Sequence, residues 1–287
     1  MTKDIVYLNG DYLPIEEARI PVLDRGFVFG DGIYEVIPVY SRRPFRMDEH
    51  LVRLENSLAS VRLANPLSRA GWRALIRRLI RLNEPDDQSI YFQVTRGVAP
   101  RDHAFPKGVA PTVFAMSTPL KTPARALVAS GVDCVTAVDY RWLRCDIKSV
   151  SLLGNCLMKQ HAVDHGAAET IMFRDGYLTE ASASNIFIVR DGTVIAPPKG
   201  HLMLPGITYD VVIELARKAR MKLELREVPE PEVRTADEIW VTSSTKEVIA
   251  CTRLDGKRIG MGKPGPVFKR MHRLYQEYKR RVMRGGK

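Results

Sequence analysis

A lysine in a mostly uncharged stretch is the first residue of this chain that is suited to chemistry. Lys148 follows Ile147 and precedes a helix-like apolar run that begins at Leu152. Partial burial would lower the pKa of such a lysine and make its neutral amine available for Schiff-base formation. Because most lysines are solvated surface charges, the assignment of Lys148 depends on other segments.

A carboxylate followed by small polar residues is the second candidate. Glu180 ends a predicted hairpin strand, and an apolar run begins at Ile186. A carboxylate keeps the nitrogen of a pyridine ring protonated, and the protonated ring withdraws electrons from a substrate carbanion. An exposed turn carboxylate is the alternative for this segment alone.

Residues 204–210 are suited to binding an anion. They run into a helix predicted to begin near Asp210, so the amides of Gly206, Ile207 and Thr208 can point from the helix start toward a negative charge. Gly206 permits close approach of the backbone, and Thr208 adds a hydroxyl. A helix cap formed by Thr208 explains the same pattern equally well.

Two further groups are compatible with a phosphate. Ser243 and Ser244 belong to a hydroxyl cluster that follows a predicted strand, although a plain turn has the same composition. Arg53 lies on the face of a predicted helix, where its planar guanidinium can make two hydrogen bonds to a phosphate. An exposed salt bridge is the more common use of such an arginine.

A loop with two arginines and a histidine is suited to a carboxylate. It spans residues 96–103 and includes Arg101 and His103, whose guanidinium and imidazole groups match an anionic substrate. A solvated loop is an equally good interpretation. Tyr34 ends a glycine-bearing turn before a strand. That turn lacks the spacing of a dinucleotide fingerprint, so a nicotinamide cofactor is unsupported.

Strands and helices alternate along the chain and must position these residues. Apolar residues at spacings of three and four mark the helices, and turn dipeptides such as Asn9-Gly10, Asp175-Gly176 and Asp191-Gly192 mark hairpins. Strands are predicted at residues 5–12 (two strands), 20–23, 33–40, 89–95, 112–116, 131–138, 169–194 (several strands) and 238–242. Helices are predicted after Asp48, a candidate cap, and at residues 72–82, 152–164 and 210–220.

A proline-containing segment divides the chain. Residues 117–123 include two prolines and little apolar content, which is typical of a linker. We therefore expect a mixed α/β (α+β) fold with two domains. A small N-terminal α/β domain is predicted at 1–118, a linker at 119–124, and a larger β-rich domain with flanking helices at 125–287.

Composition limits the class of protein. The chain is 45% hydrophobic and 27% charged, and no apolar run approaches the roughly 20 residues of a membrane-spanning helix, so we expect a cytoplasmic protein. Its four cysteines lack the spacing of a zinc site and the density of a disulfide-rich domain, so no metal is predicted. The net charge of +11 suggests nucleic acid as a partner. The basic residues, however, lie in predicted amphipathic helices, whose solvated faces account for them.

In this order, the segments resemble the branched-chain aminotransferase-like class of pyridoxal phosphate enzymes, also called fold type IV, and within it the D-amino-acid aminotransferases. The resemblance covers nearly the whole chain and is most specific at residues 24–36, 90–103, 142–154 and 204–210. It implies pyridoxal 5'-phosphate as cofactor and amino acids with 2-oxo acids as substrates. The expected reaction exchanges the amino group of a D-amino acid such as D-alanine with a 2-oxo acid such as 2-oxoglutarate.

The resemblance also implies roles for the candidate residues. The lysine matching Lys148 holds the cofactor covalently and moves the proton of the substrate, and the glutamate matching Glu180 pairs with the pyridine nitrogen. The other residues expected to bind the cofactor are Arg53, Leu204, Gly206, Ile207, Thr208, Ser243 and Ser244.

A homodimer follows from the same resemblance. Tyr34, Arg101 and His103 match residues that bind the α-carboxylate of the substrate, and the last two reach in from the neighbouring subunit. Each active site is therefore expected to be completed by the partner chain. Neither a specific nucleic acid nor a membrane is expected as a partner.

Three positions depart from the pattern of the class. Ala181 and Ala183 stand where relatives often have glycine and serine, and Tyr209 replaces a frequent arginine. None of these changes removes a required group, so they concern substrate preference.

Several other activities stay open. Branched-chain L-amino-acid aminotransferases, R-selective amine transaminases and aminodeoxychorismate lyases share the cofactor and fold. Arg101 and His103 favour D-amino acids over these substrates. A basic nucleic-acid-binding protein is the alternative from a different class.

Overall fold

The computed structural model describes residues 4–283 of the chain. The chain divides into two compact units, Met1–Lys121 with Ile147–Leu152, and Thr122–Asp146 with Leu153–Lys287. The segment that contains Lys148 thus belongs to the first unit, although the sequence predicted a continuous second domain from residue 125. The predicted bounds of the domains stay a prediction.

The first unit is built on an antiparallel sheet that has six strands in its described part. The strands are β1 (Ile5–Leu8), β2 (Asp11–Pro14), β3 (Gly32–Tyr40), β4 (Arg43–Pro44), β5 (Gln88–Thr95) and β6 (Thr112–Pro119), in the order β2-β1-β6-β5-β3-β4. The helices are α1 (Arg25–Phe29), α2 (Met47–Ser60) and α3 (Arg69–Leu82), with a 3-10 turn at Ile15–Glu17.

Helices α2 and α3 carry the apolar stripes that the sequence predicts. Leu51, Leu54 and Leu58 of α2 are buried in one core with Trp72 of α3, and the Trp72 ring lies 5.0 Å from the ring of Phe92 on β5. Burial of such stripes supplies most of the stability of an amphipathic helix. The core therefore fixes α2, and with it Arg53, against the sheet.

Two predicted elements of the first unit differ from the structure. Residues 20–23 form no strand, because Val22 and Leu23 are exposed in a turn that leads to Asp24, the N-cap of α1. Helix α2 begins at Met47 after Arg46, whose φ is +51°, so Asp48 lies inside the first turn and is not the cap.

The second unit is built on a mixed sheet that has nine strands within residues 122–146 and 153–283. The strands are β7 (Val132–Val138), β8 (Glu169–Arg174), β9 (Tyr177–Ala181), β10 (Asn185–Arg190), β11 (Thr193–Ala196), β12 (Leu223–Leu225), β13 (Glu238–Ser243), β14 (Glu247–Leu254) and β15 (Lys257–Arg258). Their order is β12-β11-β10-β13-β14-β7-β8-β9, and β15 pairs with β14. The helices are α4 (Arg125–Ser130), α5 (Leu153–Asp164), α6 (Ile207–Lys218), α7 (Glu230–Arg234) and α8 (Pro266–Met283).

Tight turns set the register of this sheet. Asp175 and Gly176 have φ of +51° and +81°, and Asp191 and Gly192 have φ of +50° and +72°, so each pair closes a hairpin with the turn that its residue types predict. The first hairpin carries Glu180 on β9. None of the helices in the described part of the chain combines the length and apolar composition needed to span a membrane.

Helix α6 starts earlier than predicted. It begins at Ile207 with Gly206 as its N-cap, so Thr208 lies in the first turn and is not the cap. Asp210 also lies in that first turn, where a carboxylate is favourable beside the helix N-terminus. The side chain of Thr208 therefore remains available for another contact.

Candidate active site

Glu180 is buried at the end of β9 and is surrounded by hydrogen-bond donors. Its Oε1 accepts from Nη1 of Arg141 at 2.6 Å. Its Oε2 accepts from the Asn185 side-chain amide at 3.2 Å and from the backbone N–H of Leu204 at 3.1 Å. The carboxyl group is therefore held in one orientation.

The electrostatic balance at Glu180 leaves its charge incompletely compensated. Burial raises the pKa of Glu180 to about 7, and the charge of Arg141 offsets this only in part. Arg141 also makes a two-point ion pair with Asp139, from Nε at 3.0 Å and from Nη2 at 2.9 Å. Arg141 is divided between Glu180 and Asp139, and the second guanidinium, that of Arg174, lies 3.1 Å from Asp139, so the charge of Glu180 is only partly compensated.

The turn before α6 packs against Asn185. The Asn185 amide donates to the carbonyl of Leu204 at 3.0 Å. A Cβ added to Gly206 would collide with Oδ1 of Asn185, so only glycine allows this approach. Asn185 thus connects Glu180 with the segment predicted to bind an anion.

The start of α6 has donors that suit an anion. Its N-cap, Gly206, makes no capping side-chain hydrogen bond, so the amides of the first turn are not capped by that residue. The hydroxyl of Thr208 is buried and has no hydrogen-bond partner among the described residues. A phosphate group would accept hydrogen bonds from these amides and from the Thr208 hydroxyl.

Ser243 and Ser244 lie where β13 ends and the turn to β14 begins, directly after Thr242. Thr242 pairs with Asn185 across β10 and β13, and its hydroxyl donates to the Asn185 carbonyl at 3.2 Å. The hydroxyl of Ser243 accepts from the N–H of Lys246 at 3.1 Å. The predicted residues of the second unit therefore lie on segments that meet at Asn185.

In the first unit, Lys148 lies against Tyr34. The N–H of Tyr34 donates to the carbonyl of Lys148 at 2.9 Å, and Nζ of Lys148 lies 4.2 Å from the centre of the Tyr34 ring. The N–H of Lys148 donates to the hydroxyl of Ser57 on α2 at 3.3 Å. The structure thus brings the predicted nucleophile and a predicted substrate-binding residue together.

Arg53 is buried and paired with a carboxylate. Its Nε and Nη2 donate to the two oxygens of Glu35 at 2.7 and 2.8 Å, and Nδ1 of His50 lies 2.8 Å from the same carboxylate. Burial acts to raise the pKa of Glu35, but Arg53 and His50 hold it well below its usual range. Burial also lowers the pKa of His50, whose Nε2 has no partner among the described residues.

Arg101 and His103 lie on an exposed loop, and both contact the ring of Phe29. The guanidinium of Arg101 lies 5.3 Å from the Phe29 ring centre, and the ring of His103 lies 5.4 Å from it. Both residues are exposed in the single chain. Their side chains are thus directed by one aromatic residue at the end of α1.

The three departures from the class pattern occupy different environments. Ala181 is buried, and Ala183 is exposed. Tyr209 is buried in the core of the second unit, where its hydroxyl donates to the Pro197 carbonyl at 2.6 Å and its ring lies 4.9 Å from that of Phe187. An effect of these residues on substrate preference stays a prediction.

Comparison with known proteins decides the family of this chain. The model of the family described as amino-transferase class IV matches residues 32–254. The chain belongs to the amino-transferase class IV family. This match includes Tyr34, Arg53, Lys148, Glu180 and Ser244, so both units contribute to it.

Relatives of this class IV aminotransferase match it over nearly its full length. The D-alanine aminotransferase of Bacillus licheniformis is 39% identical over 94% of this chain and 95% of that protein. Among solved structures, the branched-chain amino acid aminotransferase of Escherichia coli has a TM-score of 0.89 at 25% identity, over 96% of this chain and 94% of the other.

A further structural neighbour is described as bound to pyridoxal phosphate (PLP). This hypothetical aminotransferase from Mycobacterium tuberculosis, in its PLP-bound form, has a TM-score of 0.80 at 25% identity, over 95% of this chain and 97% of that one. These likenesses confirm the predicted resemblance and the predicted two-domain α+β fold class. The roles of individual residues stay predictions.

Several groups that surround the predicted residues were not predicted from the sequence. Glu35 is a charged residue within the apolar strand β3, which signals a buried carboxylate that needs a partner. His50 and Arg53 are three residues apart on α2 and so share a face. Asp139 and Arg141 gave no comparable local signal, because they follow β7 in an irregular segment.

The arrangement fits pyridoxal 5'-phosphate. Glu180, with its raised pKa, suits a protonated pyridine nitrogen, and the unpartnered hydroxyl of Thr208 at the α6 N-terminus suits a phosphate oxygen. Both groups are buried. Within the described chain the charge of Glu180 is only partly compensated, and the Thr208 hydroxyl has no hydrogen-bond partner. Such groups are where a ligand binds most favourably.

The raised pKa of Glu180 predicts a pH effect on stability without cofactor. Its folded pKa of about 7 exceeds the ordinary value of 4.5, so the folded state binds this proton more tightly than the unfolded state. That stabilisation is complete below the ordinary value and is lost as the pH rises to about 7. We expect the melting temperature of the cofactor-free wild type to fall more than that of Glu180→Gln over this range.

Thermal unfolding followed by circular dichroism measures this difference. Glu277→Gln, at an exposed position on α8, serves as the matched control and should follow the wild type. Parallel curves for the wild type and Glu180→Gln would contradict the assignment.

Proposed function

We propose that this protein is a D-amino-acid transaminase that uses pyridoxal 5'-phosphate. It would move the amino group of D-alanine or a related D-amino acid to a 2-oxo acid such as 2-oxoglutarate. The observation that carries the proposal is the 39% identity to a D-alanine aminotransferase over nearly the full length of both chains. The exposed loop with Arg101 and His103 supports it, because a guanidinium and an imidazole suit a substrate carboxylate.

Residues of the second unit would hold the ring and the phosphate. Glu180 would pair with the pyridine nitrogen, and Leu204 would pack against the ring. The phosphate would accept hydrogen bonds from the Thr208 hydroxyl and from backbone amides at the start of α6. The remaining expected ligands in this unit are Gly206, Ile207, Ser243 and Ser244.

Residues of the first unit would supply the reactive amine and further charge. Lys148 would hold the cofactor covalently through Nζ, and Arg53 would bind the phosphate. Glu35 supports that role of Arg53, because its carboxylate restricts the guanidinium to one plane through two hydrogen bonds. Tyr34 would contribute to binding of the substrate carboxylate beside Lys148.

The chemistry of these residues is proton transfer and charge stabilisation. When bound, pyridoxal phosphate supplies an electron sink for the pair of electrons left on the substrate α-carbon. The substrate amine would displace Nζ of Lys148 from the cofactor, and the freed amine of Lys148 would then take the proton from that carbon and return it to the cofactor side. Glu180, as a carboxylate, would keep the pyridine nitrogen positively charged.

A branched-chain L-amino-acid aminotransferase is the second candidate function. The solved structure of one such enzyme, from Escherichia coli, supports it with a TM-score of 0.89. Its identity of 25% is lower than the 39% to the D-alanine aminotransferase. Because one fold serves several reactions, the identity favours the D-specific enzyme.

The proposal includes a homodimer in the cytoplasm. Each partner chain would supply Arg101 and His103 to the substrate site of the other. The exposure of both residues in the single chain is compatible with that use. The four cysteines are free thiols, as expected in a reducing compartment.

Steady-state kinetics with single enantiomers test the proposed reaction. We expect D-alanine and 2-oxoglutarate to yield pyruvate and glutamate, and Lys148→Ala to lower the rate by about a thousandfold or more. The control is Lys159→Ala, since Lys159 is also half-buried but donates to the Ala168 carbonyl on a different segment. Turnover of L-leucine without turnover of D-alanine would establish the branched-chain alternative.

Hybrid dimers test whether the partner completes the site. A dimer of one Lys148→Ala subunit and one Arg101→Ala subunit keeps one intact site if Arg101 acts across the interface. We then expect the purified hybrid to have about half the wild-type turnover number with an unchanged KM for D-alanine. A hybrid with the raised KM of the Arg101→Ala homodimer would show that Arg101 serves its own subunit.

A further inference from the structure

The loop that carries Arg101 and His103 is joined to the first unit by buried charges. Arg25 and Arg96 are only 3% and 8% exposed, and the Nε of each donates to the same oxygen of Asp31 at 2.8 Å. Two guanidinium groups share a buried site only when a carboxylate compensates them. Arg25, Asp31 and Arg96 therefore form one ionic cluster.

Arg25 extends from this cluster to the loop. Its Nη1 donates to the backbone carbonyl of Asp102 at 2.5 Å, and its own N–H donates to the carbonyl of Gly97 at 2.8 Å. Asp102 is the residue between Arg101 and His103. Arg25 thus holds the backbone at the point from which the side chains of Arg101 and His103 project.

Phe29 gives these side chains a common surface. The guanidinium of Arg25 lies 4.7 Å from the Phe29 ring centre, that of Arg101 lies 5.3 Å from it, and the His103 ring lies 5.4 Å away. Arg25 and Phe29 both belong to α1. A displacement of Arg25 would therefore change the backbone and the aromatic surface that direct Arg101.

Arg96 holds the neighbouring part of the loop. Its Nη1 and Nη2 donate to the carbonyls of Arg62 and Val61 at 3.1 and 2.8 Å, and its guanidinium lies 3.6 Å from the Phe105 ring centre. Residues 101–105 are exposed, so the loop has little buried surface of its own. Its position depends on these arginines rather than on packing of its side chains.

We propose that Arg25, oriented by Asp31, is a positioning residue that sets Arg101 and His103 for the α-carboxylate of the substrate. The inference rests on the proposed function of those two residues. Arg25 itself need not contact the substrate. Loss of Arg25 would weaken binding of the ground state and of the transition state equally, so KM should rise while kcat changes little.

Arg25→Lys is the most informative variant. Lysine keeps a positive charge beside Asp31 but lacks the planar guanidinium that reaches Asp31 and the Asp102 carbonyl together. We expect KM for D-alanine to rise by about tenfold or more, with kcat within about twofold of wild type. Arg19→Lys is the matched control, because exposed Arg19 donates to the carbonyls of Glu16 and Ala18.

Two further variants separate the outcomes. Asp31→Asn removes the orienting charge and should raise KM in the same direction, which keeps the test available if Arg25→Lys folds poorly. Adding Arg25→Lys to Arg101→Ala should raise KM by a smaller factor than Arg25→Lys does in the wild type, because only the effect through His103 remains.

The results overturn different claims. If Arg101→Ala raises KM but neither Arg25→Lys nor Asp31→Asn does, the positioning role is wrong and the proposed function stands. If Arg101→Ala leaves KM for D-alanine unchanged, the proposed carboxylate site fails and the positioning role fails with it. A lower melting temperature of Arg25→Lys with wild-type KM would assign Arg25 to stability alone.

Discussion

Buried carboxylates in or beside the strands are the constraint on which the rest of this structure depends. Removing an ionised carboxylate from water costs several kcal/mol, about the stability of a domain, unless a donor compensates it. Glu35 has Arg53 and His50 as partners, and its pKa is held low. Glu180 shares its guanidinium with Asp139, and its pKa is raised to about 7. The opposite pKa shifts indicate that Glu35 orients Arg53, whereas Glu180 is suited to pair with a ligand.

An unsatisfied hydrogen-bond donor also distinguishes residues 204–210, the segment predicted to bind an anion. Most buried polar groups have hydrogen-bond partners, so the unpartnered hydroxyl of Thr208 at the start of α6 is exceptional within the described chain. The segments around it meet at Asn185, which contacts Glu180 and Leu204 and excludes any side chain at Gly206. Two incompletely compensated groups, the carboxylate of Glu180 and the hydroxyl of Thr208, therefore lie on segments that meet at Asn185.

Local signals predict much of this fold because they depend on neighbouring residues. Asp175-Gly176 and the apolar stripes of α2 and α3 each specify their element without distant contacts. The start of α6 was misplaced by a few residues, since Gly206 rather than a polar side chain is its N-cap. The ion pairs were not predictable. Arg53 and Glu35 are 18 positions apart and Arg141 and Glu180 are 39 apart, in a chain with 44 basic and 33 acidic residues that allow many pairings.

We propose that Lys148 and Glu180 both act on pyridoxal phosphate and that the substrates are D-amino acids. The most direct measurement is the visible absorption spectrum of the protein after addition of pyridoxal phosphate and removal of the excess, followed by D-alanine or L-alanine without an oxo acid. We expect a band that requires Lys148 and is bleached by D-alanine alone. A band that responds only to the L-enantiomer, or no band at all, would show that the proposed function is wrong.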